Sequence, residues 1–380
     1  MLRLCIALFF IFSSVLLFSQ ESETSFFPTS EKNERFDAGA PIFSVMLLPV
    51  YSPEMGFSLE ATGVVTYKTR RNNPYLWHSA SPISFGINPE GSFKINFRHE
   101  SYWFDNLIFI GIETDYRKMK DNYWGVGIEK ANEIEKDEST TEYDRKSYYL
   151  HPVALIRVAG NLFTGLSSEI ARIKAINPAN LMLEDPEILT YGTDIFSAGL
   201  GIVAFYNRRN NQYPTSYGLS VKAEGIGYYK KLGSDYQYQQ LTFDYRHFIP
   251  VIRKGSLLAL QLKTSWCIGD VPWTAMPQPG GSSDLRGYYQ GQYRDRAALI
   301  LLAEYRHFFM HPGTESVSRH GFVYWLGGGT VFHKIVKINK AILNTGLGYR
   351  YRLQPGITLR IDIGFGTENV GIYLGLNESF

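Results

Sequence analysis

Charged side chains recur two residues apart along this chain: Glu113, Asp115 and Arg117; Asp244 and Arg246; Glu304 and Arg306. Carboxylates beside guanidinium groups could serve acid and base chemistry. A spacing of two, however, puts them on one face of an extended segment, where pairing satisfies charges that are costly to bury. We read them as an internal charge network. His307, His311 and His320 cluster around a predicted short turn and could suggest a metal, but histidines near a strand end serve more often as interfacial side chains, so neither metal nor cofactor is expected. There is no G-x-S-x-G elbow, H-E-x-x-H pair or phosphate loop, and the "GGG" at 327–329 sits inside a strand pattern instead of before a helix. No enzymatic activity is expected.

One stretch stands apart, "PGGSSDLRGYYQGQYRDR" at 279–296. Gly280, Gly281, Gly287 and Gly291 permit tight folding and close backbone approach, and Arg286 offers a rigid fork of donors to a carboxylate. The elements around it must hold such a loop in place.

Those elements read as strands. In "SFKINFRHE", Phe93, Ile95 and Phe97 alternate with Lys94, Asn96 and Arg98; in "LRIDIGFG", Leu359, Ile361, Ile363 and Phe365 alternate with Arg360, Asp362, Gly364 and Gly366. Alternation alone fits a soluble sandwich or a membrane barrel. Strand number and length favour the barrel: about sixteen segments, most reaching the roughly 9–11 residues that a tilted strand needs to cross a bilayer, against about 5–6 in sandwiches. The first is read at 56–68, the fifth at 123–130 and the last at 370–380. Tight turns at Pro89, Gly160 and Leu353 on one rim and long loops at 131–142, 176–194 and 270–296 on the other complete the pattern. The predicted fold class is therefore all-β, a transmembrane antiparallel β-barrel.

Composition agrees: charged residues make up 19% and aromatic residues 15%, with 26 Tyr and 25 Phe, and rings near segment ends suit interfacial girdles. A net charge of +2 argues against a broad polyanion-binding surface, so nucleic acid is not an expected partner. The start, "MLRLCIALFFIFSSVLLFSQ", reads as an export signal with Arg3 ahead of an apolar core. The expected organisation is a signal peptide at 1–19, a short segment at 20–41 and a barrel at 42–380. Cys5 then falls in the leader and leaves Cys267 alone, without an internal disulfide.

The "LRGY" of Leu285, Arg286, Gly287 and Tyr288, with glycines before it and "YRDR" behind, resembles the loop signature of the BamA/TamA family of outer-membrane assembly-factor barrels. "YSPEMGF" at 51–57, "YWGVG" at 123–127, "LAEYRHFF" at 302–309 and "GIYLGLNESF" at 371–380 extend the likeness over nearly the whole chain. The resemblance implies that the loop, which follows the eleventh segment, folds into the lumen. It also implies that Arg286 pairs with an acid there. Family members carry that acid near Gly327; here Glu304, and next Asp362, are the candidates. A weak seam between first and last strands is implied too, with Gly371, Gly375 and the C-terminal Phe380 as its residues. Family members also carry periplasmic receiving domains, for which 20–41 leaves no room. The resemblance implies a bacterial outer-membrane location, lipids as partners together with other outer-membrane or periplasmic proteins or self-association, and a role in protein insertion or translocation. The alternative is a passive pore or a structural subunit of an outer-membrane complex.

Overall fold

The computed structural model describes residues 34–210, 215–251, 255–311, 317–334, 340–354, 357–367 and 370–380. The expected signal peptide and most of the 20–41 segment lie outside the described residues.

Sixteen antiparallel strands form one sheet in which each pairs with its neighbours in the chain. They are β1 (Ile42–Ser52), β2 (Gly56–Tyr67), β3 (Ser79–Ile87), β4 (Phe93–Trp103), β5 (Ile108–Asn122), β6 (Glu142–Ala159), β7 (Leu162–Ile176) and β8 (Asp194–Asn207). The second half comprises β9 (Gly218–Tyr228), β10 (Tyr238–Pro250), β11 (Ser256–Gly269), β12 (Ala297–Met310), β13 (Val317–Phe332), β14 (Ile342–Gln354), β15 (Ile357–Phe365) and β16 (Val370–Leu376). β1 lies beside β16, which brings the sheet round into a nearly closed barrel, but among the described residues no ladder joins the two.

The pleat shows which side faces out. Val45, Leu166, Ile202, Leu326 and Leu347 are exposed apolar residues of the outer face. On β15, Ile363 and Phe365 are exposed while Arg360 and Asp362 are buried. A soluble sandwich buries its apolar face; here that face is outside and the charged one inside, the arrangement of a barrel in lipid. No helix of the described residues is long and apolar enough to cross a membrane.

The last strand, read at 370–380, ends at Leu376; two further strand assignments made from sequence need correction, and they cancel in the count. The segment 123–130 is not a strand: after Tyr123 the chain leaves the wall and enters helix α1 (Ile128–Glu133). Gly125 and Gly127 both adopt positive φ there, which breaks the extended run that the aromatic and apolar residues suggested. The strand missed was β1, whose "IFSVMLLPVYS" carries Pro49. β1 is paired on one side only, a position that tolerates a proline. Adding β1 also moves the turn at Pro89, which joins β3 to β4, to the rim that carries the long loops.

Both rims are packed. On the long-loop rim, Tyr123, Tyr143, Met182, Ile188, Tyr191, Ile195 and Trp273 form one apolar cluster. It includes residues of helices α2 (Asn180–Glu184) and α3 (Pro186–Tyr191). The Trp273 indole donates to the Gly192 carbonyl at 2.9 Å, and Lys130 pairs with Asp185 at 2.5 Å. On the opposite rim, Leu76 and Trp77 turn inward onto Tyr102, Phe109 and Phe163, and the Phe36 ring stacks on His78 at 3.9 Å.

Candidate functional site

The connection from β11 to β12, residues 270–296, leaves the rim and descends into the lumen. Its tip is the Leu285–Tyr288 stretch, and Leu285, Arg286, Gly287 and Tyr288 are all buried. Each is held differently. Leu285 packs in an apolar cluster with Trp124, Ile300, Leu302 and Val331. It comes so close to β13 that a Cβ on Gly329 would stand 3.0 Å from its side chain. The Gly287 amide donates to the Tyr373 hydroxyl on β16 at 3.0 Å. The Tyr288 hydroxyl donates to the Leu343 carbonyl at 2.8 Å and accepts from the Thr367 amide at 2.7 Å. The sequence admits this packing because Gly287 takes a φ of 112° and lies against β15, a conformation and an approach that a side chain would oppose.

Arg286 is fully buried. One terminal nitrogen donates to Asp362 on β15 at 2.7 Å; the other donates to Glu304 on β12. The flat face of its guanidinium lies 3.5 Å from the centre of the Trp325 ring on β13. Its own carbonyl accepts from the Asn344 amide on β14 at 3.1 Å. One loop residue therefore touches four successive strands of the wall.

The two acids serve further cations. Glu304 pairs with Arg306 at 2.8 Å, and Asp362 pairs with Arg350 at 2.6 Å and with Arg360 at 3.7 Å. Buried networks of this kind contribute little net stability against an apolar replacement, but removing one member strands an uncompensated charge. Their geometry specifies position: planar forks between carboxylates fix where the loop tip sits. At the base of the loop, Arg294 lies over the Tyr123 ring at 4.8 Å, and the Gly127 amide donates to its carbonyl at 2.8 Å. Burial pushes the neighbouring Asp295 carboxyl above its usual range, with the Arg296 backbone amide opposing.

The other residues singled out from sequence fall as follows. Gly371 and Gly375 lie on β16, opposite Gly364 and Arg360 of β15. Phe380 packs in the lumen against the same apolar cluster as Leu285. Gly327, the position where an acid was sought, faces inward on β13 beside Leu302 and Asn344; the residue of that strand on Arg286 is Trp325. His307 bonds Ser256 at 2.6 Å and His320 bonds Tyr349 at 2.5 Å, and among the described residues no group of His, Cys, Asp or Glu is arranged to hold a metal ion. Cys267 is buried beside the loop, with Sγ 3.4 Å from the Ala275 carbonyl. Sequence reading missed Trp325, Arg350 and Asn344; the last two are polar residues at inward positions, Arg350 between Tyr349 and Tyr351 and Asn344 after Leu343, which was the one signal available.

A second lumen feature is a cavity of about 600 Å³ between the loop and the wall from β4 to β12. Its carboxylates are mostly paired: Asp115 with Arg117 at 2.6 Å, Asp244 with Arg246 at 2.6 Å and Asp284 with Lys263 at 3.0 Å.

No protein-family model and no curated protein matches the chain. Solved structures do match. BamA from Haemophilus ducreyi, in a form lacking POTRA domains 1–3, superposes with a TM-score of 0.57 at 15% identity, over 90% of this chain and 70% of that one. The fold is that of a BamA-like outer-membrane barrel. CdiB from Acinetobacter baumannii matches with a TM-score of 0.54 at 10% identity, over 89% of this chain and 59% of that one. At these identities the likeness establishes the fold alone, and the chain spans under two thirds of CdiB. In this BamA-like barrel the loop after the eleventh strand occupies the lumen, with Arg286 held by two acids from the late strands.

Proposed function

We propose that this chain resides in the bacterial outer membrane and assists the insertion or translocation of proteins there, by a non-catalytic route. The observation that carries the reading is a lumen narrowed by a loop whose tip is anchored on four strands, in a barrel whose first and last strands lie together with no ladder among the described residues. A lumen obstructed by a docked loop is poorly suited to steady diffusion of solutes. Where two strands lie together with no ladder among the described residues, an incoming extended segment could add to the sheet by backbone pairing. β1 presents Phe43, Val45 and Leu47 to the outside along that seam. Lipids contact the outer face, and protein partners would engage the seam or the rims.

The second reading, a passive pore or structural subunit, draws on the polar cavity of about 600 Å³. Planar-bilayer recording of the purified full chain separates the two. A silent barrel that accelerates folding of an added outer-membrane protein supports the first; a steady open conductance without acceleration overturns it in favour of the second.

A further inference from the structure

The lumen is entered from both rims, and the two entrants meet on the same acids. β16 ends at Leu376, on the rim opposite the long loops. Asn377 then takes a φ of 60°, its amide donating to the Thr358 carbonyl at 2.6 Å and its side-chain oxygen accepting from the Thr358 amide at 3.2 Å. Asparagine tolerates this left-handed turn because its short side chain bonds locally. The turn takes the chain off the wall and sends Glu378, Ser379 and Phe380 inward.

All three then bind the network that holds the loop. Glu378 accepts from the buried Arg350 at 2.8 Å. The Ser379 hydroxyl donates to Glu304 at 2.7 Å. The Phe380 carbonyl accepts from Arg306 at 3.0 Å, and its ring lies 4.9 Å from that guanidinium. Glu304 is thus shared by Arg286 of the loop and Ser379 of the tail. Asp362 is joined to the loop through Arg286 and to the tail through Arg350 and Glu378.

We propose that the lumen carries a binding site for the chain's own Glu378–Ser379–Phe380 segment, and that this tail acts as a clasp coupled to the loop through Glu304 and Asp362. Each segment fixes the acids that the other needs, so release of one weakens the hold on the other. The tail also ties β16 to β12 and β14 across the lumen, on a strand whose only ladder among the described residues is the one with β15. Occupancy of the clasp therefore bears on how firmly β16 stays in place at the seam. The coupling is a property of the barrel by itself and does not depend on what the barrel handles.

Two protease sites in the unmodified sequence read both directions, Arg286 for trypsin and Glu378 for a glutamate-specific protease. In the folded full chain, Ser379→Ala with Phe380→Ala should speed tryptic cleavage after Arg286 by about fivefold or more, and Arg286→Ala should likewise speed cleavage after Glu378, since the coupling of the two opening equilibria is reciprocal in sign. Cleavage after Arg145, inside β6, gauges general unfolding and should rise far less than cleavage at the probed site; Phe380→Tyr, which keeps the ring, should retain protection at Arg286. Acceleration in neither direction or in one only overturns the clasp. An equal rise at Arg145 also overturns it, because the variants would then merely loosen the barrel.

Discussion

Arg286 is the residue on which the lumen arrangement turns. Both its acids are fully buried, so Arg286→Ala leaves two carboxylates competing for the remaining guanidinium groups. We expect a loss of up to about 3–5 kcal/mol, less where water enters, read as a lower melting temperature in detergent. Arg286→Lys should also do poorly, since one ammonium can neither bridge the two carboxylates nor lie flat on Trp325. Glu304→Gln and Asp362→Asn should each be damaging, and either combined with Arg286→Ala should cost less than the sum of the singles. Additive losses would show that the three do not act together. Arg286, Glu304 and Asp362 were legible in the sequence because the loop motif and the inward parity of β12 and β15 can be read residue by residue. Trp325 was not, because an aromatic residue on an inward face is indistinguishable in sequence from ordinary barrel packing.

At the level of elements, close approach between loop and wall rests on glycine. A Cβ on Gly364 of β15 would stand 2.6 Å from the Arg286 carbonyl carbon, whereas one on Gly375 of β16 would meet only the Arg360 side chain at 3.6 Å. Gly364→Ala should therefore cost about 1–3 kcal/mol through overpacking and expose the loop to protease, while Gly375→Ala should stay near neutral in both assays. Equal behaviour of the two would contradict the docked loop. Most wall strands were legible, since charged and apolar residues alternate over long runs. The errors came where local signals misled: the unbroken apolar run Met46–Leu48 blurred the alternation of β1, and the aromatic residues after Asn122 concealed a departure from the wall. The tail was illegible, because Glu378 to Phe380 continue the apparent last strand and only the left-handed turn at Asn377 diverts them.

The molecule as a whole is a barrel with packed rims, a loop docked in its lumen and, among the described residues, a junction of β1 with β16 that carries no ladder. Cysteines at Val45 of β1 and at Ile372 or Leu374 of β16, placed in a chain with both natural cysteines replaced by serine, should crosslink, and only in part if the junction fluctuates. Complete crosslinking in every molecule would mean a fixed seam. The same pair tests most directly whether, as proposed, this BamA-like barrel handles proteins through its seam. The measurement is the folding rate of a small outer-membrane barrel into vesicles that contain the purified chain, with the seam disulfide closed and then reduced. Folding should be faster than into empty vesicles when the seam is reduced and should lose that acceleration when the seam is closed; equal rates in both states, or no acceleration in either, would rule out handling through the seam.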